Sequence, residues 1–513
     1  MGLARVASRA QLGLSAPRVE VEVHLGGGLP TFSIVGMPAT AVRESKDRVR
    51  AALATSGFEW PAGRITVNLS PADLPKEGCR YDLPIALGIL LASSQLTVPD
   101  ERLASSEFYG ELGLAGELKP IRGMLLAAAH AARERRALVL PAANVDEASI
   151  AAPRILGADS LLDVCALARV AGVIGDAAGW APRAPRLTGP SAVDLADVRG
   201  QATPKRALVI AAAGGHSLLL VGPPGTGKSM LAQRLPGILP PLSPEDALDV
   251  AAIASVSARG FDAADFGRRP FRAPHHTASA SAIIGGGPGV RPGEVSLAHR
   301  GVLFLDELPE FNRSVLESLR EPMETGVAAI SRAARQVQYP ARFQLVAAMN
   351  PCPCGYHGEP TGNCRCAPPE IARYRARISG PLLDRIDLRV AVPAVTSDEL
   401  LDEDPVGASR LTTAAAAAQV RAAREQQLRR AGKLNSDLAG RELQKHCALG
   451  REARLLLAQL RVKFELSARG VHRVLRVART IADLAAEGSA AESTPLTAAH
   501  LAEALQLRRA INQ

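Results

Sequence analysis

Hydrophobic and polar residues follow three different patterns along the 513 residues of the chain. In the first part, valine and glutamate alternate over residues 19–23, and this period of two predicts a half-buried strand. Further strands are predicted at 65–69 and 137–140, and helices at 39–56 and 124–136. Residues 1–172 are therefore predicted to form an α+β domain.

The second pattern begins after a stretch rich in proline, glycine and alanine. Residues 173–192 contain Pro182, Pro185 and Pro190, a composition typical of a linker. The elements predicted beyond it are a helix at 201–213 and strands at 217–221, 301–305 and 343–348. Alternating strands and helices indicate an α/β core, which we assign to residues 193–395.

The last third of the chain is almost purely helical. Residues 411–431 predict an alanine- and arginine-rich helix that ends at Gly432, and apolar residues recur at helical spacing over 469–485. Thr497 is the predicted N-cap of the final helix. We assign residues 396–513 to a helical lid domain.

Composition places the chain among soluble globular proteins. Hydrophobic residues make up 47% of it and charged residues 22%, so there is enough apolar material for several cores. No apolar run reaches the ~18 residues that span a bilayer, and the N-terminus lacks the pattern of a signal peptide. We therefore expect a cytoplasmic protein without a membrane partner.

The charge balance favours a polyanionic partner. The net charge is +9 and the isoelectric point is about 9.4. Enrichment of arginine through base composition is the alternative explanation. Aromatic residues make up 3% of the chain, which argues against a single-strand binder that stacks bases on aromatic side chains.

A phosphate-binding loop follows the predicted strand 217–221. The segment Gly222–Ser229 matches G-x-x-x-x-G-K-[ST] between a strand and a helix. Its glycines allow backbone N–H groups to point at phosphate oxygens, Lys228 would reach the β and γ phosphates, and Ser229 would hold Mg²⁺. The residues predicted to contact ATP are Gly222, Pro223, Pro224, Gly225, Thr226, Gly227, Lys228, Ser229 and Met230.

Two carboxylates at the end of the strand 301–305 complete this site. Asp306 is predicted to join the Mg²⁺ shell, and Glu307 to orient or deprotonate the attacking water. An Asp-Glu pair alone is better explained as the solvated end of a strand. Together with the phosphate loop it predicts hydrolysis of ATP.

Three further polar residues are candidates for contact with the γ-phosphate. Asn350 follows the strand 343–348 and suits the sensor 1 role of positioning the water. Arg385 lies in an exposed-looking turn, where ring ATPases carry an arginine finger that reaches the neighbouring subunit. Arg469 suits the sensor 2 role, with Arg473 as its competitor. The alternative for each arginine is a surface ion pair.

A cysteine cluster follows Asn350 closely. Two C-x-C pairs lie in a loop rich in glycine and proline, and four thiolates suit a tetrahedral Zn²⁺. The four residues are Cys352, Cys354, Cys364 and Cys366. His357 could replace one ligand, and free thiols are the alternative. We expect a structural zinc that braces the loop behind the sensor 1 strand.

Taken together, four motifs resemble the Mg-chelatase-like AAA+ ATPases of the ComM/YifB family, and the resemblance covers nearly the whole chain. The motifs are Gly222–Ser229, Phe304–Glu310, Ala348–Cys352 and Leu382–Asp387. Members are similar to the magnesium chelatase motor subunit and to MCM replicative helicases, and the best-understood ones are hexameric helicases in bacterial natural transformation. The resemblance implies a homohexameric DNA translocase or helicase that acts on single-stranded, recombining or branched DNA.

The N-terminal domain resembles the catalytic domain of Lon-type proteases, which has an S5 domain 2-like fold. The similarity lies in Leu74–Asp82 and Gly116–Leu125, the stretches that carry the nucleophilic serine and the lysine base in those enzymes. The matched positions here are Arg80 and Leu125, and neither side chain can perform that chemistry. The resemblance therefore implies a scaffold for binding or oligomerisation.

A basic hairpin is predicted between the Asp-Glu strand and the sensor 1 strand. Residues 326–339 alternate and turn like a β-hairpin, and in MCM-like rings a hairpin at this place projects into the central pore. The resemblance implies that Arg332 and Arg335 contact the DNA backbone through charge. The stretch 272–300 is a second candidate insertion. A solvated hairpin with exposed arginines is the alternative.

Two functions of other classes remain as alternatives. A metal-chelatase motor remodels a protein partner so that Mg²⁺ enters a porphyrin, and a Lon-type protease cleaves polypeptides. The missing serine and lysine argue against the protease. The Lon-like domain, the basic charge and Arg332 argue against the chelatase motor.

Overall fold

A computed structural model describes residues 2–170, 172–175, 193–287, 290–332, 335–359, 362–395, 411–463, 466–485 and 495–508. The chain divides into two compact units. The first comprises Met1–Pro185 and Pro244–Gly267, and the second comprises Arg186–Ser243 and Arg268–Gln513. Most of the predicted linker 173–192 lies outside the described residues.

Strands and helices are numbered here along the described residues. The strands are β1 (Gly2–Arg9), β2 (Arg18–Gly26), β3 (Thr31–Val35), β4 (Arg64–Ser70), β5 (Ser106–Phe108), β6 (Glu111–Leu112), β7 (Leu118–Lys119), β8 (Ala137–Pro141), β9 (Ile155–Ala158), β10 (Leu218–Val221), β11 (Phe271–Arg272), β12 (Gly285–Gly286), β13 (Arg291–Pro292), β14 (Val302–Leu305), β15 (Val327–Arg332), β16 (Arg335–Pro340), β17 (Gln344–Met349) and β18 (Leu388–Ala391). The helices are α1 (Thr40–Arg43), α2 (Ser45–Thr55), α3 (Asp82–Ala92), α4 (Asp100–Ser105), α5 (Met124–Arg133), α6 (Val145–Ala148), α7 (Leu161–Ala168), α8 (Ala202–Gly214), α9 (Lys228–Ile238), α10 (Pro244–Ser255), α11 (Ala280–Ile284), α12 (Glu294–Leu297), α13 (Arg313–Ser318), α14 (Arg320–Thr325), α15 (Pro368–Arg375), α16 (Gly380–Leu383), α17 (Thr413–Ala431), α18 (Gly440–His446), α19 (Arg451–Lys463), α20 (Ala468–Ala485) and α21 (Ala498–Gln506).

The first unit contains a four-stranded sheet in the order β1-β2-β4-β3. The neighbours β1, β2 and β4 are antiparallel, and β3 runs parallel to β4. Along β2, Val19, Val21 and Val23 are fully buried, while the glutamates between them are half-buried. The predicted alternation is therefore confirmed. Helix α3, which is buried along nearly its whole length, packs on β1 and β2.

A second, three-stranded parallel sheet in this unit has the order β5-β8-β9. Helix α5 packs on β8, and α10 packs on α5. The hydroxyl of Ser255 in α10 donates a hydrogen bond to the carboxylate of Glu147. Sequence reasoning placed Pro244–Gly267 in the 193–395 core, whereas its contacts group it with the first unit.

The second unit is built on a five-stranded parallel sheet in the order β11-β14-β17-β10-β18. Residues of β10 and β14 are all buried, as strands covered on both faces require. The chain leaves β10, passes to the far edge, returns to its neighbour β17 and then crosses to β18. In such sheets, ligands bind at the carboxyl ends of the strands where the order reverses. The predicted α/β core is confirmed.

Helices of the last third share a hydrophobic core with α8. Helix α8 packs against α17 and α20, and its residues from Ala207 to Gly214 are all buried. The predicted ends are also observed, since Gly432 follows α17 with φ +66° and Thr497 accepts a hydrogen bond from the backbone N–H of His500. Among the described residues, none of these or the other helices is long and apolar enough to cross a membrane.

Two antiparallel ladders interrupt the second unit's α/β pattern. Strands β15 and β16 form the predicted hairpin, in which Arg332 pairs with Arg335 at the last rung. Strands β12 and β13 form a shorter ladder within the stretch 272–300. Both ladders therefore lie where the sequence predicted insertions.

Candidate nucleotide site and cysteine cluster

The loop between β10 and α9 has a conformation that depends on glycine. Gly225 and Gly227 have φ values of +77° and +85°, in the left-handed region that side chains disfavour. A Cβ added to Gly222 would lie 2.1 Å from the backbone oxygen of Val392, so no larger residue fits there. This backbone conformation suits a phosphate cradle built from N–H groups of the loop and the start of α9.

Lys228 lies at the centre of this cradle. Its buried ammonium donates hydrogen bonds to the carbonyl oxygens of Gly222 and Pro223 over 2.8 and 2.6 Å, and it lies 3.2 Å from Oδ1 of Asn350. Burial lowers the pKa of Lys228, and the carboxylate of Asp306 opposes that shift. A buried cation held by neutral carbonyls is suited to exchange them for anionic phosphate oxygens.

The two predicted Mg²⁺ ligands meet at the same place. Ser229 Oγ donates a hydrogen bond to Oδ2 of Asp306 over 2.7 Å, which joins the first turn of α9 to the end of β14. A hydroxyl and a carboxylate are hard oxygen donors, and Mg²⁺ at phosphate sites uses one or two such ligands together with phosphate oxygens and water. The residues present therefore fit Mg²⁺ with a nucleotide.

Glu307 follows Asp306 in a left-handed conformation, with φ +52°. Its backbone N–H donates a hydrogen bond to Oδ1 of Asp306 over 2.9 Å, which fixes the backbone of the turn. The side chain is 54% exposed, and its Oε2 lies 3.1 Å from Nδ1 of His276. Sequence reasoning missed His276, although two adjacent histidines in the insertion 272–300 were a visible signal.

The predicted exposure of Arg385 is wrong. Its side chain is 8% exposed, and it donates hydrogen bonds to the carbonyl oxygen of Pro381 and to the carboxylate of Glu324. The physical reason is that Leu382 and Ile386 on either side are buried, so the turn lies against the core. The sequence showed the polar residues of this turn but not what packs around them.

The two candidates for sensor 2 differ in their surroundings. Arg473 donates hydrogen bonds to the carbonyl oxygen of Arg385 over 2.9 Å and to Oδ1 of Asp387 over 2.6 Å. Burial would raise the pKa of Asp387, but His216 and Arg473 hold it well below its usual range. Arg469, one turn earlier on α20, is exposed. Arg473 therefore has a structural partner, and Arg469 is accessible to a ligand.

The four clustered cysteines converge on one point. Cys352 Sγ lies 3.3 Å from Cys354 Sγ and 3.8 Å from Cys364 Sγ, and all four sulfur atoms lie within 4.8 Å of one another. Four thiolates bound to Zn²⁺ at about 2.3 Å would lie about 3.8 Å apart. Backbone N–H groups of Tyr356 and Arg365 lower the pKa of the Cys354 thiol to about 6. The donor set is compatible with a zinc site.

Arg80 and Leu125, the two residues of the first unit that the sequence analysis compared with Lon proteases, both have structural contacts. The guanidinium of Arg80 donates hydrogen bonds to Oε1 of Gln11 over 2.8 Å and to the carbonyl oxygen of Arg122 over 2.9 Å. Leu125 is buried in α5. Both side chains therefore have structural contacts at the positions that the sequence analysis compared with the Lon nucleophile and base.

Comparison with known proteins agrees with the site. Family models match three successive parts of the chain: subunit ChlI of Mg-chelatase at 21–144, magnesium chelatase subunit ChlI at 194–400, and the ChlI C-terminal part at 410–508. YifB of Salmonella typhimurium is 48% identical over 94% of this chain and 94% of its own length. Competence protein ComM of Haemophilus influenzae is 46% identical over 99% of this chain and 98% of its own length. The chain belongs to the ComM/YifB family.

Membership of the ComM/YifB family assigns the second unit to the Mg-chelatase-like AAA+ class, so ATP and Mg²⁺ are the implied ligands of the loop. YifB of Escherichia coli, 46% identical over 99% of this chain and 97% of its own length, extends the same relationship. Within this ComM/YifB chain, Lys228 contacts Asn350, and the next residue, Ser229, contacts Asp306.

Proposed function

We propose that this chain is an ATP-dependent DNA translocase or helicase that works as a hexameric ring on single-stranded or branched DNA. The observation that carries the proposal is the hairpin β15–β16, which is inserted between β14 and β17. Asp306 and Asn350 directly follow these two strands. A change in the nucleotide site can thus reach the hairpin through the strands on either side of it.

Charge supports a nucleic-acid partner. Arg332 and Arg335 are backbone partners in the last rung of the hairpin, and the whole chain carries a net charge of +9. Phosphate contacts need positive charge and no aromatic platform, which fits a chain with 3% aromatic residues. The relative ComM of Haemophilus influenzae is named a competence protein, which fits the role in natural transformation that we propose together with DNA recombination and a cytoplasmic location.

The residues of the nucleotide site divide the reaction among them. Lys228 binds the β and γ phosphates, and Ser229 and Asp306 hold Mg²⁺, which neutralises charge on the phosphates when it is bound. Glu307 takes a proton from the attacking water or orients it, and Asn350, adjacent to Lys228, positions that water.

Two arginines complete the site in a ring. Arg385 is the proposed finger, which would reach the γ-phosphate of the neighbouring subunit after leaving Glu324. Arg469 is the proposed sensor 2 residue, because Arg473 is bound to Asp387. An arginine supplied from a neighbouring subunit stabilises the charge of the transition state and makes hydrolysis depend on assembly.

The remaining parts have proposed structural roles. Cys352, Cys354, Cys364 and Cys366 hold a Zn²⁺ that braces the loop after Asn350. The first unit is a scaffold for binding or oligomerisation and not a protease, because the resemblance to Lon proteases matches Arg80 with their nucleophilic serine.

A chelatase-type motor that remodels a protein partner is the second candidate, and the match of all three family models to the magnesium chelatase subunit ChlI favours it. ATP hydrolysis with and without DNA separates the two. A helicase should hydrolyse ATP faster with single-stranded DNA and should unwind branched substrates. If rings form but DNA changes neither activity, the helicase proposal is overturned in favour of the chelatase-like one.

A further inference from the structure

The cysteine loop, residues 351–366, lies directly against the phosphate loop. At Gly355, the residue after Cys354, an added Cβ would lie 2.6 Å from Cδ and 3.0 Å from Cγ of Pro224. Gly355 is buried and has φ +89°. Because glycine has no side chain, the two loops approach more closely here than any other residue would allow.

This contact reaches a part of the phosphate loop that has little other support. Pro224 is exposed, and Cβ atoms added to Gly225 and Gly227 would meet nothing within 4 Å beyond the adjoining residues of the chain. The carbonyl oxygen of Pro223, in the peptide bond to Pro224, accepts a hydrogen bond from the ammonium of Lys228 over 2.6 Å. A shift of Pro224 therefore displaces a group that holds Lys228.

The four cysteines shape the turn that makes the contact. The backbone N–H of Gly355 donates a hydrogen bond to the carbonyl oxygen of Cys352 over 3.0 Å, so the first C-x-C pair and Gly355 form one turn. Sγ of Cys354 lies 3.6 Å from Sγ of Cys364, and the backbone N–H of Cys354 donates a hydrogen bond to Sγ of Cys366 over 3.4 Å. A metal ion bound by all four thiolates would join the two pairs through coordination bonds.

Helix α15 holds both ends of the cysteine loop. Before the cluster, Nε of Arg375 in α15 donates a hydrogen bond to the carbonyl oxygen of Pro351 over 3.3 Å. After the cluster, α15 begins at Pro368, two residues beyond Cys366. The cysteines lie between these fixed ends and the turn at Gly355. The position of that turn therefore depends on how the two C-x-C pairs are held together.

We propose that the cysteine loop is a positioning element of the phosphate loop, and that its bound metal sets the affinity for ATP through the contact of Gly355 with Pro224. Loss of the metal lets the two C-x-C pairs separate, and the turn no longer supports Pro224. The effect is on nucleotide binding and not on the attack at the γ-phosphate. The role of the metal rests on the proposed zinc site, whereas the contact between the loops does not, and neither depends on DNA.

Two glycines of the cysteine loop form a matched pair for testing the contact. Gly358 has φ +82°, and a Cβ added there would meet nothing within 4 Å. Alanine causes similar backbone strain at both positions, but only Gly355→Ala pushes against Pro224. Gly355→Ala should raise the Kd of a fluorescent ATP analogue roughly tenfold, as expected when a methyl group is forced into a packed contact. It should also raise the KM for ATP with little change in kcat. Gly358→Ala should bind the analogue as wild type does.

A change on the other side of the contact shows whether Pro224 transmits the effect. Pro224→Ala removes Cγ and Cδ, the two atoms that a Cβ on Gly355 would meet first. In the Pro224→Ala background, Gly355→Ala should change the Kd of the analogue by less than about twofold, because the two substitutions act on one contact. An equal loss of affinity in both backgrounds would overturn the proposed route through Pro224.

Zinc removal from the wild-type protein tests the metal without a substitution. A zinc-selective chelator, with reductant and excess Mg²⁺ present, should raise the Kd of the analogue, and added Zn²⁺ should restore it. Cys354→Ser should bind the analogue weakly from the start and should not respond to the chelator. An unchanged Kd in folded protein that contains no zinc, whether after chelation or as purified, would overturn the role of the metal.

The glycine series and the DNA experiments fail independently of each other. If folded Gly355→Ala binds the analogue as tightly as wild type does, the contact between the loops has no influence on ATP and the proposal is overturned. Absence of DNA stimulation in the wild type would overturn the helicase proposal alone, since no measurement in the glycine or zinc series contains DNA.

Discussion

Ser229 and Asp306 are 77 residues apart in the chain, yet the hydroxyl of one donates a hydrogen bond to the carboxylate of the other over 2.7 Å. The contact joins the first turn of α9 to the end of β14, although α10, β11 and the β12–β13 ladder lie between these two elements in the chain. It shows that the predicted Mg²⁺ ligands share one site.

Lys228 and Glu307 should fail at different steps. Lys228→Ala should lose ATP binding, because its ammonium contacts the phosphates of the ground state. Glu307→Gln should bind ATP normally but hydrolyse it at least about a hundredfold more slowly, since it acts on the water. Binding is measured with a fluorescent ATP analogue and turnover by phosphate release. Near-normal turnover by Glu307→Gln would contradict its assignment.

Arg385 should act between subunits. Mixing Arg385→Ala with Lys228→Ala protein should restore part of the ATPase activity, because mixed rings contain interfaces with an intact finger and an intact loop. Each variant alone should be inactive. Absence of rescue in rings shown to be mixed would mean that Arg385 acts within its own subunit, where it binds Glu324.

Arg469 and Arg473 should give opposite results. Arg473→Ala should lower the free energy of unfolding by about 2 kcal/mol, because it removes charged hydrogen bonds to buried Asp387. Arg469→Ala should leave stability unchanged, since its side chain is exposed, but reduce ATP hydrolysis. Denaturant unfolding and phosphate release measure the two effects. Full activity in Arg469→Ala would remove it from the sensor 2 role.

The purified protein should contain about one Zn²⁺ per chain, from its four converging thiols. Cys354→Ser should reduce the zinc content, and Cys79→Ser, which changes a cysteine outside the cluster, should retain it. Elemental analysis of freshly reduced protein measures both. Absence of metal in the wild type would identify the cluster as free cysteines.

Arg332→Ala should weaken DNA binding and uncouple ATP hydrolysis from DNA unwinding. The basal ATPase rate should remain largely intact. One lost phosphate contact should reduce the log-log salt slope of binding to duplex DNA by roughly one unit. Arg451→Ala, which removes an exposed charge from the lid, serves as the control and should bind DNA as wild type does. If both variants lost DNA affinity equally, the effect would come from net charge and not from a contact of Arg332 with DNA.

Local sequence determined the strands of the α/β core and the polar residues that follow them. Apolar runs predicted β10, β14 and β17. The residues beyond these strands contact one another: Lys228 at the start of α9 lies beside Asn350, and the next residue, Ser229, donates a hydrogen bond to Asp306. The reason is that a strand followed by a glycine-rich loop or a carboxylate is encoded over a few residues. The hairpin β15–β16 was predictable on the same grounds, from alternation around a turn.

Tertiary structure alone decided which distant side chains met these elements. His276 reached Glu307, Glu324 reached Arg385, and α10 packed with the first unit although it lies within the predicted core range. Each of these contacts depends on how separate segments of the chain pack. The local sequence around a residue does not show which distant residue it will contact. The sequence by itself therefore determined the nucleotide loop and its carboxylates. Packing decided the environment of Glu307 and the burial of Arg385, because those contacts join residues far apart in the chain.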